Sequence, residues 1–390
     1  MSFKTDMGEM QRRWKVTLEA MAKEGIDCLV LGQAEGICPG ASIYLTDMLP
    51  YNYPAYFLFS KDGIGFFGLG PFGGKLAVPY DFVTENITVP SIPGTSYAAK
   101  WFPEEMTKVI KKFGYKKIGW CGMYNIPAGI YKYLTENLAN VEFCDFSDTM
   151  DHIKAVKSPY ELKLWGDCVK LHDNLMAAVP AIMQSGRTER DFCRRLRNIA
   201  DDMGCTQMNI MVGAHPTRPR QLPYGAQGRH GAGQGRMMEK GDYVQLLIEV
   251  AAAENVWAEC GRVFAIGTDV SPIMQKALAD QIKVQDYVAQ LSVPGAKASD
   301  VFLKMNEMLN SMGYRSEKRF CVHGQGYEIV DRPMWVAEET MVLQENMFFA
   351  SHPSADNDQV LFNNCDNYVV EKGGSRRLSK TPREIVIIDK

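Results

Sequence analysis

Three of the six histidines in this 390-residue chain stand in similar surroundings. His230 closes the stretch from Tyr224 to Arg229 and is followed by Gly231. His323 follows Cys321 and Val322 and precedes Gly324, Gln325, Gly326 and Tyr327. His352 ends the run from Met347 to Ser351 and precedes Pro353. Each lies beside glycine, serine or proline, where strands turn. Imidazole titrates near neutrality, so it suits both proton transfer and metal ligation. A lone histidine in such a place is commonly a packed, hydrogen-bonded residue, but three in comparable settings point to a site. Aromatic residues flank these segments, among them Tyr224, Trp257 and Tyr327, and suit the walls of a pocket for a small, aromatic, hydroxylated substrate. Arg218 and Arg220 alternate with prolines and are either a solvated loop or an anchor for an anionic group.

These residues need elements to hold them. Met10, Trp14, Leu18 and Met21 recur at helical spacing, which predicts a helix over 7–23. Short apolar runs at Ile26–Leu31, Ile43–Thr46, Ala55–Phe59, Ile64–Phe67 and Lys117–Trp120 read as strands, with a helix over 102–113. Alternating helices and strands predict a small α/β domain over residues 1–150. Ser158 and Pro159 start a helix that opens a second domain, residues 151–390, with Glu161 inside its first turn. Strand-like runs follow at 243–250, 256–264, 347–350, 367–370 and 384–388, and helices at 271–291 and 298–312.

Composition narrows the function classes. Hydrophobic residues make up 46% and the net charge is −3, with no basic stripe, so neither nucleic acid nor an anionic membrane is an expected partner. No apolar run reaches the length of a membrane span, and the first residues lack a signal-peptide core. Ten cysteines without CxxC pairs fit reduced thiols and a cytoplasmic location.

The order of short motifs in the second half resembles the pita-bread fold of creatinase, aminopeptidase P, prolidase and methionine aminopeptidase. Val156–Pro159 with Glu161 is similar to "IKSPxE", Lys240–Asp242 to "KGD", Val263–Gly267 to "TFxIG", His323–Gly326 to "HGxG", Leu343–Met347 to "LEPGM" and Asp366–Val370 to "EDTVLV". Ile43–Thr46 is similar to a strand of the amino-terminal domain in these proteins. The resemblance therefore implies an α/β (α+β) chain, a small creatinase-like domain followed by a pita-bread catalytic domain, and a homodimer.

Metallopeptidases of this fold carry two Asp, one His and two Glu around a pair of metal ions. Aligned on the motifs, those positions fall on Leu247 or Ile248, then Glu259, His323, His352 and Cys365. Glu249 lies on the same strand face as Leu247 and is a partial substitute. The expectation is a centre with no metal and no cofactor, and the alternative is one metal on Glu259 and the two imidazoles. His230 stands 11 residues before Gly241, the spacing of the catalytic histidine in creatinase. Arg262 sits at an arginine position of the family.

From these residues the first expectation is a metal-independent lyase that cleaves a C–C or C–X bond of a small, aromatic, hydroxylated molecule, as in retro-aldol loss of an aldehyde. His230, His323, His352 and Glu259 would carry its acid–base chemistry. Tyr224, Trp257, Arg218, Arg220, Tyr327 and Arg262 would hold the substrate. The alternatives are a creatinase- or ectoine-hydrolase-like enzyme acting on C–N bonds, and a non-catalytic binding module.

Overall fold

Asp6 opens the first helix, α1 (Met7–Glu24), by accepting from the backbone N–H groups of Gly8 and Glu9, and Gly25 closes it in the left-handed conformation. The computed structural model of the chain describes residues 5–33, 40–48, 55–69, 83–89, 96–123, 126–219, 222–223, 235–252 and 255–389. The chain divides into two units, Met1–Lys154 and Ala155–Lys390.

In the first unit, β1 (Cys28–Gln33), β2 (Ala55–Ser60), β3 (Gly63–Leu69), β4 (Val83–Val89), β5 (Lys117–Cys121) and β6 (Glu142–Asp145) form one mixed sheet in the order β4-β3-β2-β1-β5-β6. Helices α3 (Ala98–Phe113) and α4 (Ala128–Asn137) supply Phe102, Met106, Ile130 and Leu134 to a core with Val30, Tyr56 and Trp120. Between β1 and β2 the chain forms α2 (Gly40–Thr46), so Ile43–Thr46, read as a strand, is helical. Every residue of α2 is buried. A short run buried all round carries no amphipathic contrast from which its period could be read. Helix α5 (Ser147–Ala155) ends the unit.

The second unit opens on a capping box. Ser158 accepts from the backbone of Glu161, and the Glu161 side chain accepts from the backbone of Ser158, which starts α6 (Pro159–Ile182). Helix α7 (Glu189–Asp202) is capped likewise by Thr188. Strands β7 (Gln207–His215), β8 (Leu222–Pro223), β9 (Tyr243–Ala251) and β10 (Trp257–Ile266) join the late strand β18 (Val386–Ile388) in a sheet ordered β18-β10-β9-β7-β8. After α8 (Pro272–Leu291) and α9 (Ala298–Ser311), a second sheet forms. It comprises β11 (Val322–Gly324), β12 (Asp331–Met334), β13 (Phe348–Ser351), β16 (Asp366–Val369) and β17 (Arg376–Arg377), in the order β12-β11-β13-β16-β17. A ribbon of β14 (Ser354–Asp356) and β15 (Leu361–Asn363) lies between β13 and β16 in sequence.

Strand alternation divides the side chains of the first sheet. Leu246, Ile248 and Val250 face a core shared with Leu175, Val179, Phe192 and Leu196 of α6 and α7. Leu247 and Glu249 therefore point the other way. The two sheets touch where Gly261 and Cys365 exchange backbone hydrogen bonds of 3.0 and 3.1 Å. A Cβ on Gly261 would lie 3.0 Å from that of Cys365, so glycine permits the approach.

Candidate active site

The junction of the two sheets brings together Glu259 of β10, His323 of β11 and His352, the residue after β13. His323 Nε2 lies 3.1 Å from Glu259 Oε1, and His352 Nε2 lies 3.6 Å from the same oxygen. The two Nε2 atoms are 3.4 Å apart. Glu259 is fully buried, and His323 and His352 are 2% and 8% exposed. Cross-strand register does the positioning: His323 pairs with Ala350 on β13, and the backbone N–H of His352 donates to Cys321 O at 2.8 Å.

The glycines of the His323–Gly326 motif are explained by close approach. A Cβ on Gly324 would stand 2.7 Å from Arg332 O, and one on Gly326 would overlap the Asp331 carboxyl. The turn between β11 and β12 is therefore tight enough for His323 Nδ1–H to donate to Gly324 O at 3.0 Å. That bond keeps a proton on Nδ1 and turns Nε2 toward Glu259.

Glu249 stands directly opposite Glu259 in the β9–β10 register, and Asn209 stands opposite Glu249 on β7. Asn209 donates its side-chain amide to Glu249. Burial and then the charge of Glu259 push the Glu249 carboxyl well above its ordinary range, so it stays protonated. Burial alone would raise Glu259 too, but the imidazoles outweigh it and hold this carboxyl at about 2. His323 is the nearer and better anchored counter-ion. Burial would lower its pKa, and the attraction of Glu259 raises it instead. Burial pulls His352 down to about 4, so it is neutral at pH 7.

One step along the same strand faces the surroundings become apolar. Leu247, Ala350 and Cys365 form a buried cluster with Met211 against it. Leu247 and Cys365 stand where the motif alignment puts further carboxylates, and they offer none. Ile248, the other candidate for the first of those positions, lies in the core on the far side.

Donor chemistry tests whether the remaining residues fit a metal. Glu259 Oε1, His323 Nε2 and His352 Nε2 all lie within 4.8 Å of one another. Three donor atoms turned toward one another could hold a cation in place of the proton that His323 shares with Glu259. Two imidazoles and a carboxylate are a ligand set for one divalent ion that leaves further positions open. They fit a single ion.

The other candidate residues lie elsewhere. Trp257 is on the Glu259 face of β10, and its indole N–H is buried without a partner. Tyr327 is buried with its hydroxyl donating to Glu161 Oε1 at 3.2 Å, so it supports the α6 cap. Arg262 faces away from Glu259. It pairs with Asp366 at 2.7 Å and donates to the carbonyls of Gly261, Cys365, Thr381 and Pro382, which ties β10 to the C-terminal segment. Arg218 pairs with Asp356 at 2.9 Å. His230, Tyr224 and Arg220 lie outside the described residues. Two residues were not anticipated from sequence. Asn209 carried no signal beyond its place on a strand. Phe320, 51% exposed with its ring centroid 6.3 Å from that of His323, was detectable only as an aromatic three residues before the histidine.

Residues 165–378, more than half of the chain, match metallopeptidase family M24. The chain belongs to metallopeptidase family M24. It is 22% identical over 267 residues to an Xaa-Pro dipeptidase of Pyrococcus horikoshii, covering 67% of this chain and 73% of that protein. In structure it is similar to an Xaa-Pro dipeptidase from Bacillus anthracis (TM-score 0.79, 17% identity, 97% of this chain and 100% of that one). It is similar also to an X-Pro aminopeptidase from Thermotoga maritima (TM-score 0.80, 15% identity, 96% and 99%). The α/β pita-bread architecture is thus shown over nearly the whole chain. The lyase expected from sequence is overturned, because these relatives of the M24 protein are dipeptidases and aminopeptidases, which are hydrolases. No helix among its described residues is long and apolar enough to cross a membrane.

Proposed function

We propose that this M24 protein is a hydrolase that cleaves an amide-type C–N bond in a small substrate. The observation that carries the reading is the meeting of Glu259 Oε1, His323 Nε2 and His352 Nε2 in a buried site of a peptidase-family fold. Those three atoms would hold a divalent cation, which when bound supplies polarisation of the scissile carbonyl and an activated water.

The chain's own residues prepare that centre. The Gly324 carbonyl holds the proton on His323 Nδ1, keeping Nε2 free to ligate. Protonated Glu249 faces the Glu259 carboxylate, and the Asn209 amide fixes the orientation of Glu249. Leu247, Ala350 and Cys365 exclude water from the far side of Glu259. Phe320, exposed beside His323, offers an apolar wall to the substrate. The dipeptidase names of the relatives make Xaa-Pro dipeptides the first probes, followed by non-peptide amides.

The test is release of free amine from such a panel by the metal-supplemented protein. Glu259→Gln is expected to lower the rate ~10²-fold or more, the scale on which a group at the reacting centre acts. Cleavage by Glu259→Gln at the wild-type rate, or no amine release across the panel, would sink the proposal.

A further inference from the structure

We infer that the centre binds one metal ion per chain, on His323 Nε2, His352 Nε2 and Glu259 Oε1, and that it selects zinc or cobalt over manganese or magnesium. The inference concerns the site of the proposed hydrolase and rests on that reading only for the location of the reaction centre.

Stoichiometry follows from what surrounds the three donors. One of them, His323, is set by the Gly324 carbonyl, and Glu259 stands opposite Glu249 in the β9–β10 register. A second ion would need carboxylates on the far side of Glu259. The next positions on that strand face are apolar instead: Gly261 packs on Leu247 and Cys365, and Leu247, Ala350 and Cys365 are 3%, 0% and 0% exposed. Glu249 is engaged on both sides, standing opposite Glu259 and accepting from the Asn209 amide. The second half of a two-metal centre has become a plug of packed side chains.

Selectivity follows from the donor types. Manganese and magnesium favour oxygen-rich sites, whereas imidazole suits zinc, cobalt and nickel. This set offers two nitrogens and one oxygen, as catalytic zinc sites do. His352 is the outermost ligand. Its Nδ1 is buried without a hydrogen-bond partner, so no neighbour pre-sets its ring as Gly324 sets that of His323.

The experiment uses the full-length chain stripped by chelator dialysis and re-equilibrated separately with zinc, cobalt or manganese chloride. Bound metal per chain is measured by elemental analysis after gel filtration, and the visible absorption of the cobalt form reports its coordination. One zinc or cobalt per chain is expected, with manganese held at least ~10-fold more weakly. His352→Ala and the isosteric Glu259→Gln should each weaken zinc retention ~10-fold or more, with thermal melts showing that both variants fold. Two ions per chain, no ion of any kind, preference for manganese, or retention unchanged in both variants would overturn the inference. One bound zinc without amine release removes the hydrolase reading and leaves this inference standing. Amine release by the stripped chain does the reverse when that chain also fails to take up zinc.

Discussion

Glu249 and Glu259 face each other across the β9–β10 pair, and their carboxyls hold opposite charge states. Two ionised carboxylates could not share this buried position, since each would repel the other in a medium that screens poorly. The histidines stand on the Glu259 side and the Asn209 amide on the Glu249 side, so the charge settles on Glu259.

The first prediction concerns Glu249 in the ion-free protein. Its folded pKa is raised, so below the unfolded value of 4.5 both states are protonated and its contribution is fully present. Above 4.5 the unfolded chain releases this proton and the folded chain keeps it. Stability should then fall by about 1.4 kcal/mol per pH unit until the folded pKa is reached. Glu249→Gln should remove that slope. Urea unfolding of wild type and variant across pH 5–8 would read it, and parallel curves would refute the assignment.

His352 should act in the opposite direction. Its folded pKa is depressed to about 4 from 6.5, so its contribution is complete above 6.5 and is lost as pH falls through the window to 4. The loss is on the order of 3 kcal/mol. In wild type this slope and that of Glu249 oppose each other between 4.5 and 6.5. His352→Gln should therefore unmask a stability that declines with rising pH, whereas Glu249→Gln unmasks one that increases. Chelated samples followed by denaturant midpoint would distinguish the two.

Tyr327→Phe tests whether this ring binds substrate or braces a helix. Losing its bond to Glu161 should cost about 1–2 kcal/mol of stability while zinc binding and amine release stay at wild-type levels. A stable variant with a raised KM would restore Tyr327 to the substrate site.

Arg262→Met should be among the most damaging single changes in the catalytic unit. It strips a buried partner from Asp366 and leaves the carbonyls of Thr381 and Pro382 without their donor. Arg377 still reaches Asp366 at 2.9 Å, so a cost of about 3 kcal/mol is expected, at the low end for a broken buried pair. A loss below ~1 kcal/mol in equilibrium unfolding would show that the C-terminal segment is held by other contacts.

Much of this was legible in the chain because periodicity and caps are local. Met10, Trp14 and Met21 marked α1, and Ser158 with Glu161 marked the start of α6. His323, His352 and Glu259 were recoverable because the motifs around them keep their order. What the chain could not disclose was register. Whether Leu247 or Ile248 faced the site turned on a single-residue offset, and only pairing with β10 decides it. The same holds for Glu249, whose role depends on a partner ten residues away on the next strand. Arg262 read as a substrate-binding residue because it sits at an arginine position of the family, yet its odd offset from Glu259 along the strand puts it on the opposite face. Ile43–Thr46 failed for another reason: an apolar run enclosed on all sides has no period to read.

The contact between Gly261 and Cys365 also bears on how this centre could change over generations. A side chain at position 261 would crowd Cys365 at 3.0 Å and Leu247 at 3.2 Å, so these three residues are fitted to one another. Placing an acid at 247 or 365 alone would bury it beside the other's apolar surface. The packing works as a ratchet: no single substitution at these three positions can add a carboxylate without passing through a less stable protein.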